Sequence, residues 1–333
     1  MRAVVLEQAY GIENLKLVER PDPVPGPGQI VVDIKAASLN YRDLATVTAP
    51  SGRLPFVPCS DGAGVVSAIG EGVTRVKTGD HVAPLFFQNW FAGEPTPSAL
   101  GGALGGTLDG VLQEKILLSE QGVTRVPAGY RHEDAATLPC AALTAWRGLV
   151  LQGNVKSGDV VLVQGTGGVS IFALQFAKSA GATVIVTSSS DEKLERAKRL
   201  GADHFINYKS TPDWAKEVRK LTGNRGADHI IEVGGAGTFE QSLRAVRLGG
   251  KIAVIGILGG FVKDLNVAAI FSANVFIHGI TVGSREQFES MTRAIEATGI
   301  KPVIDKRFPL AEMRDAFECM KAGAHFGKIV VTL

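Results

Sequence analysis

Gly165-Thr-Gly-Gly-Val-Ser170 follows the apolar run Val160–Gln164 and opens a helical pattern. A strand feeding a glycine-rich turn and then a helix is an arrangement suited to a dinucleotide. Gly165 can make the tight turn, and Gly167 lets the backbone approach a pyrophosphate. Free amides at the helix start, with its dipole, then hold the anion. Gly165, Thr166, Gly167, Gly168 and Val169 are therefore candidate cofactor contacts. Ser170 fits less well, because its hydroxymethyl group stands where Gly or Ala is usual and asks for more room. The following strand, Thr183–Thr187, ends in Ser188, Ser189 and Ser190, with no acid at the tip to hold a ribose. Hydroxyls there, with Lys193 one helical turn on, suit a 2′-phosphate and favour NADP(H) over NAD(H). In the plainer reading Ser190-Asp191 caps a helix and Lys193 is solvated. Capping uses one serine, so both can hold.

The elements that must carry this turn are legible in the pattern. Strand candidates Val160–Gln164, Thr183–Thr187, His204–Ile206, His229–Val233, Lys251–Ile255 and Val275–Val282 alternate with helical stretches. Such alternation predicts an α/β domain with a six-stranded, doubly wound parallel sheet over residues 126–280. Residues 1–125 read instead as short strands between Gly- and Pro-rich turns, including Pro21 to Gly28, which cannot be helix. Residues 281–333 add helices and a last strand, Lys328–Leu333, that returns to the first domain. The nucleotide domain is thus inserted. Asn89 to Asp109 is irregular, the mark of a functional or mobile loop. Phe86, Phe87, Trp90 and Phe91 precede it and could wall an apolar substrate pocket, although aromatics are more often core.

Bulk properties exclude several classes. The chain has 333 residues, 35 Lys plus Arg against 33 Asp plus Glu, and a formal charge of +2. Nothing there calls for nucleic acid or a membrane surface. No apolar run reaches the length of a membrane span, and Arg2 to Leu6 is too short for a secretion signal. Cys59, Cys140 and Cys319 are widely spaced and odd in number, which points to the cytoplasm.

Several motifs recur in fixed order: Pro25 to Gly28, Asn40-Tyr-Arg-Asp43, Asp61-Gly-Ala-Gly-Val-Val66, Gly79-Asp-His-Val82, the glycine turn, Leu200 to His204, and Gly327-Lys-Ile-Val330. In this order the chain resembles the medium-chain dehydrogenase/reductase superfamily, over essentially its whole length. The resemblance implies a GroES-like β-barrel domain from the two chain ends, an inserted Rossmann domain, and a cofactor site in the cleft between them. Many members carry a catalytic zinc. Its ligand positions here hold Asn40 for a cysteine and Ser60, ahead of Asp61, for a histidine; only Cys140 keeps a thiol. A zinc site needs three protein ligands even when catalytic, so no metal is expected. Cys140 is then most simply a small buried residue. By resemblance to the zinc-free quinone oxidoreductases and enoyl reductases, Asn40-Tyr41 and Thr144 lie beside the nicotinamide. Tyr208 joins Ser188 and Lys193 around the 2′-phosphate. Gly234, Gly235, Gly256, Ile257, Val282 and Gly283 line the ribose and carboxamide. Phe326, Gly327 and Lys328 close over the pyrophosphate, the lysine adding charge.

Without a metal, another group must stabilise negative charge developing on a substrate oxygen. Tyr41, Asn40 and Arg42 are the candidate catalytic donors. Tyr41 is the first choice, with an aromatic wall as its plainer role. Arg42 and Asp43 read more simply as an ion pair holding the loop, and Asp61 as either a supporting group or a turn residue. The leading expectation is an NADPH-dependent reductase of quinones, enones or other activated double bonds. A zinc-independent alcohol dehydrogenase or carbonyl reductase and a non-catalytic NADPH-binding redox sensor are the alternatives. A homodimer through Val275–Val282 is expected by resemblance.

Overall fold

A computed structural model describes residues 1–49 and 54–333. The chain divides into two compact units, Met1–Leu143 with Val282–Leu333, and Thr144–Thr281. The first junction falls after 143 rather than at the expected 125/126. Residues 126–143 are tied into the first unit by their polar groups: Ala128 N donates to Glu296, the Tyr130 hydroxyl to Ile300 O, and Cys140 N to Asp61.

The first unit opens with β1 (Arg2–Leu6), β2 (Leu15–Glu19), β3 (Gln29–Leu39), β4 (Asp61–Ile69), β5 (His81–Pro84), β6 (Lys115–Ser119) and β7 (Val123–Arg125). The long strand β3 is buried along most of its length and pairs with both β4 and β6. Its approach to β4 is so close that a Cβ on Gly64 would stand 2.0 Å from Asp33 O. Asn89 to Asp109 carries one short helix, Pro97–Leu100, capped by the Thr96 hydroxyl, and is otherwise largely irregular. Phe86, Phe87 and Trp90 beside it are buried and packed ring against ring, so the core reading of these aromatics holds.

The inserted unit carries β8 (Val160–Gln164), β9 (Thr183–Ser188), β10 (His204–Asn207), β11 (Ala227–Glu232), β12 (Val246–Val254) and β13 (Phe276–Gly279). They form one parallel sheet in the order β10-β9-β8-β11-β12-β13. β11 is buried throughout, and β8 and β9 beyond their first residue, as expected of a parallel sheet covered on both faces. From β8 the chain winds outward to β10, then crosses back to β11 and winds the other way. The carboxyl ends of β8 and β11 therefore flank the topological switch point, where such sheets bind ligands. β13 is shorter than the expected Val275–Val282. Downstream, Val282 has φ of 52°, a conformation that a β-branched residue rarely adopts and that no strand can contain.

Back in the first unit, Ser284 caps the helix Arg285–Thr298, and Gly299 in the left-handed region ends it. β14 (Ile304–Pro309), the helix Met313–Ala322 and β15 (Lys328–Thr332) follow. Among the described residues these complete a seven-stranded sheet, ordered β14-β15-β3-β4-β5-β7 with β6 on β3. β15 runs antiparallel to β3 with Ile329 opposite Leu39. This register carries Lys328 to the end of β3, beside Asn40. No helix among the described residues is long and apolar enough to cross a membrane.

Candidate active site

In the first unit, polar side chains gather where β3 ends and β4 begins. Asn40 precedes the helix Tyr41–Thr48, and its amide nitrogen donates to Asp43 Oδ2 at 2.8 Å. Asp43, fully buried, accepts from Ser60 N through Oδ1 and so ties the two loops together. Arg42 Nη1 donates to that same oxygen and to the carbonyls of Leu104 and Gly105, and the guanidinium lies over the Phe86 ring. Arg42 thus forms the ion pair with Asp43 that the plainer reading expects, through Nη1. Tyr41 is 53% exposed.

Asp61 is fully buried. Its Oδ1 accepts from the Ser60 hydroxyl at 2.7 Å and its Oδ2 from Cys140 N at 2.9 Å. Burial pushes its pKa up to about 6; Lys328 opposes that rise and Asp43 adds to it. Burial, and then Asp61, hold the Cys140 thiol far above its ordinary pKa. Cys59, just upstream, sits at φ of 74°, a strained backbone within the cluster. Lys328 Nζ donates to Leu39 O and to Asn40 Oδ1, each at 2.6 Å. The zinc ligand positions are thus occupied by the Asn40 amide, the Ser60 hydroxyl and a single thiol, with an ammonium bonded to the amide. That set does not fit a zinc ion, which takes thiolate, imidazole or carboxylate donors.

In the inserted unit, Gly165 adopts φ of +71°, and a Cβ on Gly165 or Gly167 would meet nothing within 4 Å, so the space over the turn is open. The helix Gly168–Ser179 begins there, and its first amides have no acceptor within the helix. This fits an anionic group such as a pyrophosphate. Ser170 is accommodated by a bond: its hydroxyl donates to Gln164 O at 2.7 Å. At the β9 tip, the Ser188 hydroxyl is buried and accepts from Ser190 N, while Ser190 Oγ caps Lys193 N. Asn207 pairs with Ser188 across the strands, so Ser188, Ser189, Lys193 and Tyr208 lie at one end of β9 and β10. Asn207 Nδ2 also holds the Asp191 carboxylate at 2.7 Å, an acid near the tip that the sequence reading had treated only as a cap.

Glu232 was missed altogether. It is fully buried at the end of β11 and accepts from Gly234 N, Gly235 N, Thr238 Oγ1, Ser242 Oγ and Gln164 Nε2. Gln164 Oε1 accepts in turn from Val233 N. One carboxylate therefore joins the turn after β8 to the turn after β11. The signal in sequence was an acid two residues before a Gly-Gly pair. Gly259 N and Leu258 N donate back to Gly234 O and Val233 O, which brings Gly256-Ile257 beside Gly234-Gly235. Thr144 belongs to this unit and is buried. Val282, Gly283, Phe326, Gly327 and Lys328 belong to the first. There, Lys328 is 2% exposed and its ammonium is turned inward to Asn40.

Residues 26–128 match the alcohol dehydrogenase GroES-like domain, and residues 168–297 the zinc-binding dehydrogenase family. A zinc-type alcohol dehydrogenase-like protein of Schizosaccharomyces pombe is 46% identical over 100% of this chain and 99% of its own. A solved NAD-dependent alcohol dehydrogenase is 36% identical with a TM-score of 0.91, each chain covered at 100%. Two mycobacterial structures, one bound to NADPH and one a quinone oxidoreductase, share 27% and 28% identity at TM-scores of 0.84 and 0.83, all chains covered at 100%. The chain belongs to the medium-chain dehydrogenase/reductase superfamily. It is an oxidoreductase of that family.

Proposed function

We propose that this protein is a metal-independent, NADP(H)-dependent reductase of activated C=C bonds or quinones. The observation that carries the reading is the donor set at the zinc positions, where the Lys328 ammonium bonds the Asn40 amide. A divalent ion placed there would meet a fixed positive charge, with Cys140 the one zinc-type donor at the three ligand positions. NADP(H), when bound, supplies the hydride. The glycine turn and the helix start at Gly168 hold its pyrophosphate. Ser188, Ser189, Lys193 and Tyr208 take the 2′-phosphate, where a carboxylate would repel it. Gly234, Gly235, Gly256, Ile257, Val282 and Gly283 line the ribose and carboxamide. Asn40 and Tyr41 face the nicotinamide and donate hydrogen bonds to the substrate oxygen. The mycobacterial quinone oxidoreductase supports the acceptor class.

Fluorescence titration should give NADPH an affinity at least about tenfold above that of NADH, as a charge-assisted phosphate site predicts. Enones and quinones should turn over with NADPH, and elemental analysis should find less than stoichiometric zinc. Preference for NADH, or stoichiometric zinc needed for turnover, would sink the reading. A second reading, a carbonyl reductase or alcohol dehydrogenase using the same residues, draws on the alcohol dehydrogenase relatives. It wins if matched ketones turn over faster than enones.

The partner is a second copy of this chain. One edge of β13 is unpaired, and the exposed Phe261, Phe271 and Phe276 cluster in sequence around it. Two such edges can pair about a two-fold axis and cover those rings. Three unpaired cysteines suit a reducing cytoplasm.

A further inference from the structure

A buried ammonium is costly unless it is paired and hydrogen-bonded. Lys328 satisfies two of its donors on Leu39 O and Asn40 Oδ1, and Asp61 lies near enough to feel its charge. The bond to Oδ1 settles the orientation of the amide. Its nitrogen, Nδ2, then faces away from the lysine toward the Asp61 carboxylate, whose charge it helps to hold, yet it reaches full hydrogen-bonding geometry with no acceptor although it is buried. Asn40 is held at its backbone as well, by Asp43. A buried donor with only a poorly aligned carboxylate beside it, on a side chain fixed at both ends, can take a ligand atom to complete its bonding.

We propose that Lys328 is a positioning residue, which orients and polarises the Asn40 amide so that Nδ2 donates to the substrate oxygen. This rests on the reductase reading above. Addition of hydride from the reduced nicotinamide at the β-carbon of an enone shifts the C=C π pair, and the carbonyl π pair moves to oxygen. The enolate oxygen takes the Nδ2 hydrogen bond, and the α-carbon later takes a proton from water. No bond to Asn40 or Lys328 forms or breaks. The lysine supplies, through the amide, the positive field that a metal would supply directly.

Lys328→Met keeps the stem and removes the ammonium. Its kcat on an enone should fall about 100-fold, the scale of one lost oxyanion donor. Its Kd for NADPH should stay within about threefold of the wild type, because the loss is confined to the reaction. Lys328→Arg should recover part of the rate. Asn40→Ala should lose as much as Lys328→Met, and the double variant no more than either. A rise of about tenfold in the NADPH Kd with kcat unchanged would place the lysine on the cofactor and overturn the proposal. Unchanged kcat in Asn40→Ala overturns it even if Lys328→Met fails to fold. Should the wild type reduce no acceptor, the reductase reading fails on its own. The proposal is then decided by NMR: added propionamide should move the Asn40 Nδ2 resonance in the wild type, less in Lys328→Arg and not in Lys328→Met, and no movement in the wild type overturns it.

Discussion

The Ser170 hydroxyl donates to Gln164 O at 2.7 Å, from the first turn of the helix to the last residue of the strand it packs on. The residue that fits the glycine pattern least well is therefore a cross-link within the turn. Ser170→Ala should destabilise the protein by about 1 kcal/mol, the net worth of one buried hydrogen bond. Ser170→Val, which adds bulk as well, should cost about 1–3 kcal/mol more. Urea unfolding curves of both variants test this, and equal stability of all three proteins would contradict it.

Ser188 closes β9 where a ribose-binding acid would otherwise stand. Ser188→Asp should weaken NADPH about 100-fold, since a like charge against a phosphate costs several kcal/mol. NADH should bind no worse, or better. Titration with both dinucleotides reads the switch directly.

Asp61 is neutralised more readily in the fold than in the unfolded chain, its pKa raised from 3.8 to about 6. The native state therefore binds more protons between those values, and its stability falls as pH rises from about 4 to 6. At neutral pH the buried charge costs about 3 kcal/mol relative to the unfolded chain. Asp61→Asn abolishes this contribution. The stability difference between wild type and variant, measured from pH 4.5 to 7, should move steadily against the wild type. A flat difference would show that Asp61 ionises normally.

Glu232 accepts five hydrogen bonds in the interior. Glu232→Gln keeps the shape but turns a donor toward one of those donors, and should destabilise by about 2–4 kcal/mol. Hydrogen exchange should speed up at Gly234 and Gly235 before it does in β12. Protection unchanged at the two glycines would deny the carboxylate this role.

Phe276, on the edge strand of the parallel sheet, is 56% exposed, and Phe271, in the helix Val267–Ala273 that precedes it, is 81% exposed. Phe276→Asp should convert a dimer to a monomer in light scattering, because a charge cannot be buried there unpaired. A monomeric wild type would leave this edge without the proposed partner.

Much of this architecture is legible in residue order. Alternating runs located the parallel sheet, and the glycine turn located its switch point, because both depend on local spacing. Asn40 and Ser60 stood out only through the family resemblance, which sets them where other members carry zinc ligands. The direction of Lys328 was not legible, since it depends on a pairing between residues 39 and 329 that no local pattern encodes. Glu232 was hidden in the same way: its partners Gln164 and Ser242 come from a different strand and a helix. The anchoring of Arg42 Nη1 on the carbonyls of Leu104 and Gly105 was hidden too, since those residues lie far along the chain.

The inward turn of Lys328 bears on any attempt to graft a metal centre onto this scaffold. Installing the two missing ligands, as Asn40→Cys and Ser60→His, would still leave an ammonium beside the new thiolate. It would compete with the ion for that sulfur and repel it. A third change, Lys328→Met or Lys328→Gln, is the one on which zinc uptake should turn, although it adds no ligand of its own.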